Sequence, residues 1–244
     1  MTKIGEKYSQ KLAEENFDAI IIGSGMSGLS TAAFLSKAGK KVLVLERHFK
    51  VGGWTHTFQR GQYEWDVGIH YIGAVGRKNA FLRKLFDEIT DERLEWASMS
   101  DNYDRMIFPD KSYNFVAGKE QFIDQMVEYF PKERDAIVKY LDLVKQCTSA
   151  STKFFMNRAM PKLLSDLTYG RMSRSFLEMS DKTTWDVLSS LTSNTELIGV
   201  LTGQYGDYGL TPKQSSFAIS AAVANHYLYG AYYPVGGSRM IAET

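Results

Sequence analysis

Six residues near the start of the chain have the types and spacing to hold a dinucleotide. Gly23-Ser24-Gly25-Met26-Ser27-Gly28 sets three glycines in the G-x-G-x-x-G pattern. In that pattern the first glycine makes a tight turn, the second lets backbone approach a pyrophosphate, and the third lets a helix pack against a strand. A helix opening at such a turn aims unpaired N–H groups and its positive dipole end at the phosphates. Glu46 lies eighteen positions beyond Gly28, where a carboxylate can accept the ribose hydroxyls. The glycine spacing by itself is a weak signal, so its weight depends on the elements around it.

Those elements have the right order. Phe17 to Ile22 is a short β-branched apolar run, Met26 to Ala38 has a helical pattern, and Lys41 to Glu46 is a second apolar run closed by the acid. This is one βαβ unit. Leu29, Ala32, Ala33 and Ser36 share a helix face small enough to pack on a sheet, and Gly39 is a stop signal. Glycine is frequent from Gly52 to Gly76, which predicts loops and short strands folding back over the unit. From Asn79 the pattern becomes helix-rich. Tyr103 to Phe108 and Ser112 to Val116 form an expected strand pair around Pro109-Asp110, and Glu120 to Ser149 reads as mostly helical. Further helices are expected from Thr184 to about Gln204 and from Thr211-Pro212, where Thr would cap and Pro would open the first turn. Tyr232 to Ser238 reads as a loop leading into another helix.

Composition narrows the class. With 44% hydrophobic and 23% charged residues and a formal net charge of +1, the chain reads as a globular protein without the basic excess of a nucleic-acid binder. Cys147 is the only cysteine, so an intrachain disulfide or dithiol centre is impossible and a reducing compartment fits. Residues 1–16 are polar, without the apolar stretch of a secretory signal, and no run is long enough to span a bilayer. The expected location is cytoplasmic or peripheral to a membrane. The four histidines are scattered without i, i+4 spacing, so no metal site is expected.

NAD and FAD share the glycine cradle, but the residues after Glu46 separate them. Glu46-Arg47 leads to Val51-Gly52-Gly53-Trp54-Thr55-His56-Thr57, a second glycine pair that resembles the FAD enzymes that include amine oxidases and phytoene desaturases. The block Gly61 to Gly73, with Asp66-Val67-Gly68-Ile69-His70-Tyr71 inside it, narrows the likeness, as do Asn225-His226-Tyr227 and Gly230 to Ser238. From Phe17 to its end the sequence resembles the retinol saturase, carotenoid desaturase and isomerase family. Trp54 stands where many members of that family carry Arg or a small polar residue.

The resemblance implies an α/β fold: a Rossmann-like FAD-binding domain with an inserted helix-rich substrate lobe. The expected division is a polar tail over 1–16, the FAD-binding βαβ unit and return loops over 17–76, the helix-rich lobe over 77–230, and a return to the FAD domain over 231–244. Because members of the family extend further, the FAD domain is expected to be incomplete. The implied reaction acts on carbon–carbon double bonds of a retinoid or carotenoid polyene, with NAD(P)H as a candidate electron donor. Desaturation and isomerisation are the neighbouring alternatives. The implied cofactor contacts are Gly23, Ser24, Gly25, Met26, Ser27, Gly28, Glu46, Arg47, Gly52, Gly53, Trp54 and Thr55.

Since flavin carries the hydride chemistry in such enzymes, the protein's task is to position the substrate and exclude water. His70 is the candidate catalytic residue, as a group facing the flavin ring or a proton donor. A structural hydrogen-bonding role for it is the competing and preferred reading. His48 reads as a solvated loop residue. Asp66 is expected to fix a loop by accepting backbone N–H bonds. Residues 153–177 carry Lys153, Arg158, Lys162, Arg171 and Arg174 against one acid, Asp166, among many apolar residues, with Pro161 and Gly170 as expected breaks. Such a stretch either docks on an anionic membrane or is a set of core helices whose cations reach outward. A rival of another class is a flavin-free lipid-binding protein on the same fold, as in Rab GDP-dissociation inhibitors, against which Gly28 and Glu46 both argue. An amine oxidase or an NAD-only dehydrogenase would leave the blocks around His70 and His226, or Gly52-Gly53, without purpose.

Overall fold

The computed structural model describes residues 4–10 and 14–244, so part of the polar tail, positions 1–3 and 11–13, lies outside the described residues. The chain forms two compact units, Met1–Ser98 with Tyr232–Thr244, and Met99–Ala231.

The first unit opens with the expected βαβ arrangement: β1 (Ala19–Ile22), α1 (Met26–Lys37) and β2 (Val42–Leu45). The two strands pair in parallel, with Ala19 opposite Val42 and Ile22 opposite Leu45. Leu29, Ala32 and Ala33 are half-buried while Ser36 is exposed, so the packing face of α1 is narrower than the sequence implies. Gly39 takes a φ of 76° just past the helix, a left-handed turn that glycine adopts without steric cost. A hairpin of β3 (Thr57–Arg60) and β4 (Tyr63–Asp66) follows. A three-stranded sheet then takes β5 (Ile72–Gly73), β6 (Trp96–Ser98) and β9 (Ala231–Pro234) in the order β5-β9-β6. Helix α2 (Phe81–Thr90) and the short α9 (Met240–Glu243) complete the unit. Its core gathers Ile72, Val75, Phe86, Leu94 and Ile241, with Met26, Trp96 and Tyr232 packed against them. Gly76 is required by close approach, since a Cβ there would meet the Tyr232 ring at 1.9 Å.

The second unit begins with the hairpin of β7 (Asn102–Ile107) and β8 (Ser112–Val116), as the sequence predicts. Helices α3 (Lys119–Tyr129), α4 (Arg134–Ala159), α5 (Lys162–Ser180), α6 (Thr184–Ser189), α7 (Thr195–Leu201) and α8 (Phe217–Tyr227) follow. Helix α4 packs on both α5 and α8, burying Ile137, Tyr140, Leu141 and Val144. The hydroxyl of Thr183 caps α6 and the Asn194 side chain caps α7.

Three expectations are corrected here. Helix α5 runs unbroken through Gly170, because an interior glycine costs only about 1 kcal/mol and tertiary contacts outweigh it. Thr211 does not cap a helix: it closes a turn, accepting from the N–H of Gln214 and Ser215. The helix starts six residues after Thr211, at Phe217, where the Ser216 hydroxyl accepts the Ala218 N–H. The segment expected as a loop from Tyr232 instead begins as strand, since Tyr232, Tyr233 and Pro234 pair with β6, whereas the helical stretch expected from Thr184 is present as α6 and α7, the second opened by the Asn194 cap.

Candidate dinucleotide-binding site

The glycine turn lies between β1 and α1, and each of its glycines has a different geometry. Gly23 adopts a φ of 98°, which a side chain would strain. At Gly28 a Cβ would meet the Gly23 carbonyl oxygen at 2.1 Å, so the helix can sit this close only as glycine. At Gly25 a Cβ would meet nothing within 4 Å, which leaves open space at the helix entrance. Gly25 is the N-cap residue of α1, and no side chain caps the helix. The first N–H groups of Met26, Ser27 and Gly28 therefore have no intrahelical or capping side-chain partner.

Glu46 follows the end of β2 and is exposed, yet its carboxylate is firmly held. One oxygen accepts the Ser24 hydroxyl at 2.6 Å and the Ser24 N–H at 2.8 Å, and the other accepts the His48 N–H at 2.7 Å. These bonds, that of the Ser24 hydroxyl first, draw its pKa down to about 2, because donors to a carboxylate favour its charged form. Glu46 is thus an ionised acceptor that faces water, and Arg47 beside it is exposed as well.

The second glycine pair is tied to this acid. Gly52, at a φ of 106°, donates its N–H to the Ser24 carbonyl at 3.0 Å. Gly53 packs so tightly on the turn that a Cβ would lie 3.0 Å from the Gly25 Cα. The buried Thr55 donates its hydroxyl to the Gly52 carbonyl at 3.0 Å. Trp54, in contrast, is 75% exposed. Beyond Thr55 the chain of contacts reaches the return segment: the buried Ser238 hydroxyl lies 3.0 Å from the Thr55 carbonyl and 2.5 Å from Asp66 Oδ1. The Tyr233 hydroxyl donates to the other Asp66 oxygen. Burial first, and then this carboxylate, push the Tyr233 phenol up to about 12.

Asp66 was expected to accept backbone N–H bonds, and the structure instead gives it two hydroxyl donors from the return segment. Ser238 and Tyr233 were not singled out as site residues. The signal for them was the segment Tyr232 to Ser238, whose glycines and proline marked a turn but whose hydroxyls have no visible partner in sequence. His70 is exposed and meets Tyr71 edge-on at 4.3 Å between ring centroids. His48 is exposed and lies 4.7 Å from the His56 ring. His226 belongs to the second unit. Among the described residues no three of His, Cys, Asp and Glu converge as a metal set.

The donor set fits a dinucleotide. The open space at Gly25 and the uncapped helix entrance suit a pyrophosphate, and the exposed Glu46 carboxylate suits ribose hydroxyls. A cavity of about 370 Å³ beside this loop, lined by Lys50, His56, Thr57, Glu64, Arg239 and Glu243, does not suit a phosphate. Arg239 is paired with Glu64 at 3.1 Å and Glu243 at 2.8 Å, and the Lys50 ammonium donates to the Thr57 carbonyl.

Comparison with known proteins agrees with this architecture. Residues 21–89 match the NAD(P)-binding Rossmann-like domain family. The chain is 38% identical to the human all-trans-retinol 13,14-reductase over 97% of its own length and 40% of that protein's. It is 26% identical to a 1-hydroxycarotenoid 3,4-desaturase from a Flavobacterium, over 93% of this chain and 46% of the relative. Among solved structures, an oxidoreductase from Methanosarcina mazei superposes with a TM-score of 0.61 at 17% identity, covering 92% of this chain and 47% of that one. At that identity the likeness establishes the Rossmann-like fold. The chain spans about two-fifths of the length of the retinol reductases that it matches.

Proposed function

On the premise that this chain is a relative of the all-trans-retinol 13,14-reductases, we propose that it works as an FAD-dependent oxidoreductase that saturates a carbon–carbon double bond in a retinoid or carotenoid polyene. Desaturation and isomerisation are the neighbouring reactions. The observation that carries the reading is the ionised, exposed Glu46 held beside the uncapped entrance of α1.

The bound flavin supplies hydride transfer. The backbone of Gly23, Ser24, Gly25, Met26, Ser27 and Gly28 would receive the pyrophosphate, and Glu46, flanked by Arg47, would accept the ribose hydroxyls. Gly52, Gly53, Trp54 and Thr55 would hold the cofactor beyond the ribose, with Thr55 and Gly52 fixed by their mutual hydrogen bond. For His70 a structural hydrogen-bonding role is the preferred reading, and donation of a proton to the carbon not receiving hydride is the alternative. NAD(P)H is the proposed electron donor, and residues 153–177 are the proposed contact with the membrane that holds the lipophilic substrate.

The visible absorbance spectrum of the purified protein tests the reading. An oxidised-flavin band is expected, and it should be lost in Glu46→Arg, which removes the ribose acceptor and crowds the pocket. Polyene binding without any flavin band would transfer the chain to the flavin-free lipid-binding class. Flavin retained in full by Glu46→Arg would remove Glu46 from the site. In His70→Ala the band should persist, so that any loss of turnover reports chemistry and not cofactor binding.

A further inference from the structure

Helices α4 and α5 form an antiparallel hairpin whose turn, Met160-Pro161, is held by a buried polar residue. Asn157 is fully buried. Its amide donates to the Ser165 carbonyl at 3.0 Å and to the Thr168 hydroxyl at 2.9 Å, while its oxygen accepts the Ser165 hydroxyl at 3.1 Å. Every polar atom of the Asn157 side chain is thus used to lock the first turns of α5 to the last turns of α4, so the tip is presented as a fixed shape.

That fixed tip turns apolar side chains outward. Phe155 is 62% exposed, Leu163 75% and Leu167 76%, and Met156 and Leu164 are more than half exposed beside them. On α5, at 3.6 residues per turn, Leu163, Leu167, Arg171 and Arg174 fall on one stripe, apolar toward the tip and cationic behind it. Lys153 and Arg158 supply further positive charge from α4. Arg158 is held in place over the rings of Phe154, at 5.4 Å, and Tyr169, at 4.8 Å. Lys162 is paired with Asp166 at 2.8 Å and Arg174 with Glu178 at 2.9 Å, so the excess positive charge of the region rests on Lys153, Arg158 and Arg171.

A single exposed leucine needs no explanation, but five large apolar side chains in one turn region, ringed by cations, do. A protein partner with an apolar groove would satisfy the apolar residues and leave the cations unmatched. An anionic bilayer satisfies both, since its acyl boundary takes the apolar tip and its phosphates take the ring of Lys and Arg.

We propose that the tip of the α4–α5 hairpin is a docking surface for an anionic lipid bilayer, entered by Phe155, Met156, Leu163, Leu164 and Leu167. Arg158, Lys162, Arg171 and Arg174 lie at the level of the headgroups. The inference deepens the membrane contact stated above and rests on that reading for its purpose, the collection of a lipophilic substrate, though not for its geometry.

The test is co-sedimentation of the full chain with phosphatidylcholine vesicles, with and without phosphatidylserine, at low and high salt. Binding is expected to phosphatidylserine vesicles and to weaken as salt rises, because charge attraction to the leaflet is screened. Leu163→Ser with Leu167→Ser should weaken it about tenfold or more through lost apolar insertion. Arg171→Gln with Arg174→Gln should weaken it about tenfold and flatten the salt dependence. All four positions are exposed, so circular dichroism of both variants should match the unaltered protein. No binding to either vesicle, or binding unchanged in both variants, overturns the proposal. So does a self-association that the leucine variant abolishes while vesicles are ignored, which would mark the tip as a contact between copies. Flavin absorbance recorded on the same samples keeps the two readings apart. Vesicle binding lost with flavin intact concerns only the surface, and flavin absent with vesicle binding intact concerns only the oxidoreductase assignment.

Discussion

The two units each contain a two-stranded sheet, and the two sheets are stabilised in opposite ways. In the second unit the β7–β8 hairpin is inside: Tyr103, Tyr113 and Phe115 are all buried, and Phe115 meets Phe122 of α3 edge-on at 5.3 Å. In the first unit the β1–β2 pair is covered by α1 on one face only. Ile20 and Ile22 on the other face are 60% and 89% exposed, although parallel strands are usually buried on both sides. The loops around β1–β2 are instead tied by a chain of hydrogen bonds from Glu46 through Ser24, Gly52, Thr55 and Ser238 to Asp66. Apolar burial fixes the helical unit, while directed polar contacts fix the site unit, where backbone must stay open to a ligand.

The sharpest way to break this contrast is to remove the same kind of group from each side. Leu197 is fully buried between elements of the second unit, so Leu197→Ala should cost about 2–5 kcal/mol of stability through lost transfer energy and the cavity left behind. Ile22→Ala should change stability by no more than about 0.5 kcal/mol, since its side chain gains little from folding. Chemical denaturation of the two variants measures both. Equal losses would mean that the β1–β2 face is covered in solution and that the contrast is false.

A second test cuts the polar chain. Ser238→Ala takes from Asp66 the single hydroxyl donor that Ser238 offers, at a cost of about 1–3 kcal/mol. The loss should appear in the unfolding of the first unit, where Trp54, Trp65 and Trp96 report by fluorescence. A change well below that range would mean that water replaces the hydroxyl and that the return segment is held by other contacts.

The third is a pH dependence with a definite sign. The Glu46 carboxyl has an ordinary pKa of 4.5 and a folded value of about 2, so its ionised form is favoured by folding. That contribution is present above pH 4.5 and is lost as pH falls from there toward 2. Ser24→Ala removes the largest cause of the shift. The melting temperature of the unaltered protein should therefore fall more steeply across that window than that of the variant, with a modest difference because Glu46 is exposed and solvent screens it. Parallel curves would show that Ser24 does not set the acid's state.

What sequence revealed and what it hid divide along the same line. The βαβ unit was legible because strand, turn, helix and acid are neighbours along the chain, and each signal, from Gly23 to Glu46, is local. The hairpin around Pro109-Asp110 was legible for the same reason. The polar chain was not, because Asp66 and its hydroxyl partners Tyr233 and Ser238 lie 167 and 172 positions apart and nothing in a serine or tyrosine announces a distant carboxylate. The continuity of α5 through Gly170 was hidden by similar physics: local propensity predicted a break, and the contacts of Asn157 and the packing on α4 outweigh it. The start of α8 was misplaced because Thr211 and Ser216 are both good caps, and only tertiary structure selects between them. There the Ser216 hydroxyl also reaches the Ser180 carbonyl at 2.6 Å.

The smallest effect expected is at Trp96, where the apolar and polar modes of stabilisation meet. Its ring packs 5.1 Å from Phe86 in the core of the first unit, yet its buried Nε1–H has no partner among the described residues. A buried donor without an acceptor costs about 1–3 kcal/mol, and Trp96→Phe removes it while keeping an aromatic ring against Phe86. The smaller ring also leaves a void, which costs a comparable amount. The two changes oppose each other, so the net shift in stability should be within about 1 kcal/mol, far less than a large-to-small change at a packed site that holds no orphaned donor. A loss of several kcal/mol would show that the indole N–H is satisfied in solution, and that this unit's core is as dependent on directed contacts as its ligand-facing loops.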